Sequence, residues 1–529
     1  MIKRLIAILV ILSFVLSGLV ACESSDGGEE TVSTESTTVT DAPETTDPKK
    51  EEEKEEEKPL STKSPSNIVK ELSSTAVRMA STSSCIEVVL ADVSKDTALK
   101  AFIDEDFQIV DTTPIEGAKF ETTVLIRKFD VVTMYWSESE NELRVLWEKT
   151  SKSGLYMLSP TDETGKGSIS VAQIGIDRNK EVDNPLIGMC YIIKLSNGKA
   201  IIIDGGFNTE VCADNIYNAL GKMGISTTAG QYNIEAWIIT HGHGDHIGAI
   251  GKFYSKYAVK ALVSHIISAL PGSDSVVTGG SKTQLSSEVF PSAKRVNPHA
   301  GIKYFFGNVA ISMFYTPDLI YAPNYTVENY NDSSLAFRVE GGGASAFFFG
   351  DAVEVAATEM IDSYEASAFK SDIVQITHHG LYTVPNGHTW NNLKKVYEAI
   401  DADYAFLPMQ SRYGTTGRNG RYTVMCQWGC AGYQISYVIN ENDNHGISGI
   451  SQEYFDAFAE SVVNGTNTKD TLLGYNGINK VVSETGLITY LGANETAPMV
   501  TVFELSDGKV TLIMNETLSI WFGATEYIN

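Results

Sequence analysis

One stretch, Thr240-His241-Gly242-His243-Gly244-Asp245-His246-Ile247-Gly248, constrains this chain more than any other. It follows the apolar run Ala236-Trp237-Ile238-Ile239, and so reads as a loop at the end of a buried strand. Three of the chain's nine histidines and one aspartate fall within six residues. Side chains of that kind, at that density, have little ordinary structural use. Imidazole and carboxylate together suit zinc or a related divalent ion, whose catalytic sites keep one position open for water.

Three more segments carry the pattern onward. Lys199-Ala200-Ile201-Ile202-Ile203-Asp204-Gly205-Gly206 is a strand ending in a tight turn. Ala346-Phe347-Phe348-Phe349-Gly350-Asp351 is a strand delivering an aspartate, and Asp372-Ile373-Val374-Gln375-Ile376-Thr377-His378-His379-Gly380 is one ending in two histidines. In order, strand context and residue type, over about 180 residues, the set resembles the metallo-β-lactamase superfamily. That resemblance implies an α/β fold, an αββα sandwich with a one- or two-metal site at one edge, and hydrolytic activity. It also implies that Asp351 bridges two ions. With Asn331-Asp332-Ser333-Ser334-Leu335 added, the pattern is similar to the hydrolase domain of competence proteins and to the phosphorylcholine esterase branch. Both imply phosphodiester chemistry.

Two departures stand out. Leu381 follows His-His-Gly where the subgroup carries serine. The wider family supplies a further histidine from a third loop, but the stretch Tyr315-Thr316-Pro317-Asp318 has none. His265 and His299 are the histidines of the interval, and both read as surface or supporting residues. The resemblance therefore implies a first ion held by His241, His243 and Asp351 with extra water. Asp245 and His246 are assigned to a second ion, most simply zinc, with manganese as the alternative. One of His378 and His379 completes that second site. The other faces the substrate, contacting a phosphoryl oxygen or protonating the leaving group. Asp204 reads either as a turn former or as the partner that orients a histidine ligand.

The N-terminus reads as an export leader. Met1-Ile2-Lys3-Arg4 precedes an apolar run to Val20, too short for a comfortable membrane span. Leu19-Val20-Ala21-Cys22 resembles a bacterial lipobox, so residues 1–21 are expected to be removed and Cys22 lipidated, leaving the protein anchored outside the cytoplasmic membrane. Residues 22–66 form an acidic Ser/Thr/Glu tether with too little apolar surface to fold. Glu23 to Lys58 carries a net −10 of the chain's −26. The remainder is itself acidic, which counts against extended duplex nucleic acid as a partner. A small-molecule or cell-wall-polymer phosphodiester fits better, because the ions supply local positive charge. With Cys22 set aside, Cys85, Cys190, Cys212, Cys426 and Cys430 are odd in number and imply no complete disulfide framework.

Short β-like runs between residues 84 and 160 predict a small barrel, a spacer resembling the SH3-like modules of cell-wall proteins. The catalytic domain is placed at 165–415, and 416–529 is set apart as a C-terminal extension ending in a β-hairpin around Ser506-Asp507-Gly508. A surface-anchored hydrolase is the reading these features favour. The alternative is a non-catalytic surface-binding lipoprotein with a degenerate fold, which the intact histidine and aspartate set argues against.

Overall fold

The computed structural model describes residues 63–72, 76–81, 85–91, 93–137, 141–149, 157–176, 188–268, 288–317, 330–352, 354–380, 391–410, 428–429, 433–434, 480–482, 488–493 and 497–523. The expected leader, Cys22, nearly all of the tether, Cys426 and Cys430 lie outside these residues.

Runs such as Ala200–Asp204 and Ala236–Ile239 are apolar without alternation, and such strands need cover on both faces. They have it. The first sheet runs from Lys294–Val296 through Ala261–Ser268, Gln231–Ile239, Ala200–Asp204, Cys190–Lys194, Ile169–Ile174 and Met499–Ser506 to Lys509–Thr517. The second runs from Lys303–Phe306 through Val309–Tyr315, Ala336–Gly341, Ala344–Phe348, Ile373–Gln375, Tyr404–Gln410 and Ile488–Ala493 to Lys480–Val482. Between them Ile193, Ile201, Ile203 and Ile238 pack on Phe337, Val339, Phe348 and Phe406. The alternate residues Ile202, Trp237 and Ile239 face outward onto helices Glu210–Lys222 and Gly244–Tyr257. On the far side Phe347, Phe349 and Val374 meet helices Glu354–Ser363 and Asn391–Ile400. The layers are α, β, β, α. Truncating one of these buried phenylalanines to alanine would cost about 3–5 kcal/mol.

The helices carry their own start signals. Thr209 accepts a hydrogen bond from the Cys212 amide at 3.2 Å, while Glu210 and Lys222 sit at the ends that suit the helix dipole.

The C-terminal hairpin is part of the sandwich. Asp507 (φ 52°) and Gly508 (φ 72°) make its tight turn, and Met499–Ser506 pairs antiparallel with Ile169–Ile174. Ile488–Ala493 likewise lies parallel to Tyr404–Gln410. The sequence division at 416 put both strands in an extension. Their partners lie far away in sequence, and hydrophobic pattern carries no information about such pairing.

The N-terminal strands form an open antiparallel sheet instead of the expected barrel. Its order is Ala76–Ser81, Cys85–Ala91, Glu142–Lys149, Asp130–Ser137, Glu121–Arg127, Gln108–Val110. Helices Pro65–Leu72 and Lys95–Ile103 cover one face, burying Ile68, Val69 and Phe102 against Val88, Leu90 and Val132. With one face covered by helices, closure is not needed to make a core. The other face contributes Val124 and Val131 to the sandwich core. A bridge between Ala118 and Tyr364 and a bond from Asn297 Nδ2 to Glu148 Oε2 (2.9 Å) join the two parts.

Candidate metal centre

Four strands end at one edge of the sandwich and deliver polar residues there, the placement usual for sites in sheets with parallel strands. Ala200–Asp204 brings Asp204, and Gln231–Ile239 leads into Thr240 and His241. Ala344–Phe348 leads to Asp351, and Ile373–Gln375 to His378 and His379. The histidine-rich motif is a loop only in its first half. His243 stands at the helix N-cap with extended backbone (φ −70°, ψ 150°), so Asp245 and His246 fall in the first helical turn. A side chain at Gly248 would come within 2.3 Å of the Asn208 amide, which is why this helix can sit directly on the turn after Asp204.

The carboxylate of Asp351, 1% exposed, is the centre of the cluster. Its Oδ1 lies 3.2 Å from His246 Nε2 and 3.6 Å from His379 Nε2. Its Oδ2 lies 3.6 Å from His241 Nε2 and 3.9 Å from His378 Nε2. Asp245 Oδ2 is 3.1 Å from His379 Nε2. His243 Nδ1 is 3.0 Å from His241 Nε2. Two triads could each hold an ion, His241 with His246 and Asp351, and Asp245 with His246 and His379.

Hydrogen bonds behind the rings fix which nitrogens face inward. His246 Nδ1 donates to Asp204 Oδ2 at 2.8 Å, and His379 Nδ1 donates to the Pro408 carbonyl at 3.0 Å. In neutral rings, both Nε2 atoms then present lone pairs, and they face one another across 3.2 Å. Asp351 Oδ1, buried beside them, has no hydrogen-bond donor among the described residues. Imidazole nitrogens and carboxylate oxygens converging in this way fit a divalent cation that takes the place of the ring protons, and the donor set of imidazole and carboxylate suits zinc.

Electrostatics follow the same geometry. Burial alone would lower the proton affinity of His246, but Asp351, Asp204 and Asp245 outweigh it and raise its pKa well above the usual value. His379 is raised too, against burial, by Asp351 and a hydrogen bond to Asp245. Burial opposes ionisation of Asp351 and Asp245, yet the surrounding histidines bring both below the usual carboxylate range. Burial and the His246 ring hold His241 low. His378, buried, is pushed down to about 4 and is neutral at physiological pH.

Every predicted site residue, His241, His243, Asp245, His246, Asp351, His378 and His379, lies in this cluster. Of the last two, His379 is the one beside Asp245 and His246. Asp204 is the orienting partner of His246 and also accepts from the Thr240 amide and hydroxyl, each at 2.8 Å. His265 Nδ1 donates to the Glu235 backbone carbonyl at 2.8 Å. His299 Nε2 lies 3.3 Å from Glu148 Oε1 at the junction with the N-terminal sheet. Thr240, Asn331 and Pro408 were not given roles from sequence. Thr240 directly precedes the motif and could have been noticed. A backbone carbonyl such as that of Pro408 has no side-chain signal at all.

Residues 183–408 match the Metallo-beta-lactamase superfamily. No curated protein matches the chain. Among solved structures, the metallo-beta-lactamase fold protein YhfI from Bacillus subtilis is similar at 14% identity, covering 45% of this chain and 85% of its own, with a TM-score of 0.30. Human tRNase Z, short form, is similar at 15% identity, covering 45% of this chain and 92% of its own, with a TM-score of 0.27.

Proposed function

From a metallo-β-lactamase superfamily domain at residues 183–408, we propose a metal-dependent hydrolase that cleaves a phosphodiester at the Asp351 centre. The superfamily match supports hydrolysis with divalent metal. The single observation that carries the finer reading is the position of Asp351, whose two carboxylate oxygens face different sets of histidines. A carboxylate so placed can be shared by two ions.

When bound, such ions supply water acidified to a pKa near 7, and a pair about 3.5–4 Å apart suits an in-line displacement. The chain's own residues do the rest. His241, His243 and Asp351 would hold one ion, and Asp245, His246, His379 and Asp351 the other. Asp204 and the Pro408 carbonyl keep the His246 and His379 rings turned inward, so the donors are in place before substrate arrives. Burial of Asp351, His246 and His379 strengthens the charge interactions among them.

A surface phosphodiester, either a choline phosphoester or a wall polymer, fits a chain with an export leader and an acidic folded part. Lipid on Cys22 would hold it there, and loss of metabolic lipid labelling in Cys22→Ser checks that point. The test of the activity is turnover of bis(p-nitrophenyl) phosphate by the zinc- or manganese-loaded protein, with Asp351→Ala as control. Turnover that vanishes in the variant supports the reading. Metal binding without phosphodiester cleavage rejects it in favour of thioesters or lactones.

A further inference from the structure

The geometry points to His378 as a ligand of the first ion, filling the place left by the absent third-loop histidine. This rests on the metal-dependent reading above, and it replaces a substrate-facing role for His378.

Asp351 sorts the nitrogens around it. Its Oδ1 side holds His246 and His379, at 3.2 and 3.6 Å. Its Oδ2 side holds His241 and His378, at 3.6 and 3.9 Å. His243 belongs with the second group, through its 3.0 Å approach to His241. Each side therefore has three donors besides Asp351, once Asp245 is counted with His246 and His379. Zinc bonds of 2.0–2.1 Å in a tetrahedron place ligand atoms about 3.3 Å apart. The distances from Asp351 Oδ2 to His241 and to His378 each exceed that by less than an ångström, a contraction that side chains can supply.

Backbone and surroundings agree. His378 (φ 48°, ψ 44°) and His379 (φ 53°, ψ 19°) are consecutive residues in the left-handed region, at a cost of about 1–2 kcal/mol each. That conformation splays the rings, with centroids 6.1 Å apart, to opposite oxygens of one carboxylate. His378 is also buried, with its side chain only 11% exposed and turned toward Asp351 and Asn331. Asn331 Nδ2 donates to His378 Nε2 at 3.1 Å, so the ring presents a lone pair on the nitrogen nearest Asp351. Asn331 is held in turn by its own segment, in which Leu335 N donates to the Thr240 carbonyl and Asp351 N to Ser334 Oγ, both at 3.0 Å. Asn331 is thus a positioning residue that keeps this lone pair in place until an ion takes it.

The test counts ions and reads their ligands on the full chain. Metal-free protein is loaded with zinc and its content measured, then loaded with cobalt and its absorption recorded. Wild type is expected to bind two ions per chain. His378→Ala should retain one and bind the other at least ~10-fold more weakly. His378→Cys should show a cobalt–thiolate charge-transfer band, which only a side chain touching the ion can give. It also keeps the question open if the alanine variant fails to fold. Two ions bound with unchanged affinity in His378→Ala, or no such band in cobalt-loaded His378→Cys, overturns the assignment. A wild type that binds no ion overturns the metal-dependent reading itself.

Discussion

The molecule buries charge in two places, and the two are built in opposite ways. In the N-terminal sheet, Glu87 is 0% and Arg144 5% exposed. The Arg144 guanidinium donates to Glu87 Oε1 and lies 4.5 Å over the Tyr135 ring, so positive charge meets negative within the protein. At the sandwich edge, Asp204, Asp351, His246 and His379 are as deeply buried, but the groups that meet are carboxylates and imidazoles, whose ring protons a metal ion can replace. A buried pair that satisfies itself holds up a fold. Converging lone pairs and carboxylates instead imply a partner that the chain does not encode. Burial alone does not separate the two cases; the direction of donors does.

The sharpest way to break this comparison is to remove the shared carboxylate. Asp351→Ala should lower phosphodiester turnover at least ~10³-fold, about 4 kcal/mol in transition-state stabilisation, and abolish binding of both ions. Retention of two tightly bound ions would mean that Asp351 is not shared. In the N-terminal sheet the same operation should strike stability and leave the metal alone. Arg144→Ala removes the guanidinium that meets buried Glu87 and should cost about 3–5 kcal/mol in denaturant unfolding, while replacing both residues by leucine restores most of the loss. Zinc content per folded chain should not change in either variant. A drop there would show that the two regions are coupled.

Proton linkage gives a third, smaller effect. Zinc must displace protons from His246 and His379, whose pKa values the surrounding carboxylates raise. A raised pKa means more protonated ring at a given pH, so affinity should fall as pH falls, by up to about a hundredfold per unit once both rings are protonated. Calorimetry in buffers of different ionisation enthalpy reads the released protons. An affinity independent of pH between about 6 and 8 would show that these rings do not ligate.

Legibility in the sequence followed the range of the interactions. The ligands were visible because chemistry concentrates rare residue types: His241, His243, Asp245 and His246 within one motif, and His378 beside His379. The sandwich strands were visible as apolar runs, and Asp204 as a turn residue with a second reading. What stayed hidden depends on contacts across the chain. The choice between His378 and His379 turns on two backbone angles and on Pro408, about 30 residues onward. Asn331 was visible as part of a pattern, but its role required seeing His378 beside it. The N-terminal sheet reads as a barrel in sequence because helix Lys95–Ile103, which covers it, lies among strand-like runs and gives little signal of its own.

The smallest effect concerns the junction between the two regions. Glu148 accepts from Asn297 Nδ2 at 2.9 Å and lies 3.3 Å from His299 Nε2, so one side chain from the N-terminal sheet reaches two groups of the sandwich. A hydrogen bond contributes about 0.5–1.5 kcal/mol net, or somewhat more where one partner is charged. Glu148→Ala should therefore cost about 1–3 kcal/mol, with turnover and zinc content intact. Because Val124 and Val131 also enter the sandwich core, apolar contact survives the loss of the polar link. Thermal unfolding should then remain a single transition, shifted down by a few degrees. Two separated transitions in Glu148→Ala would instead mean that the polar link, and not the shared apolar core, makes the sheet and the sandwich unfold together.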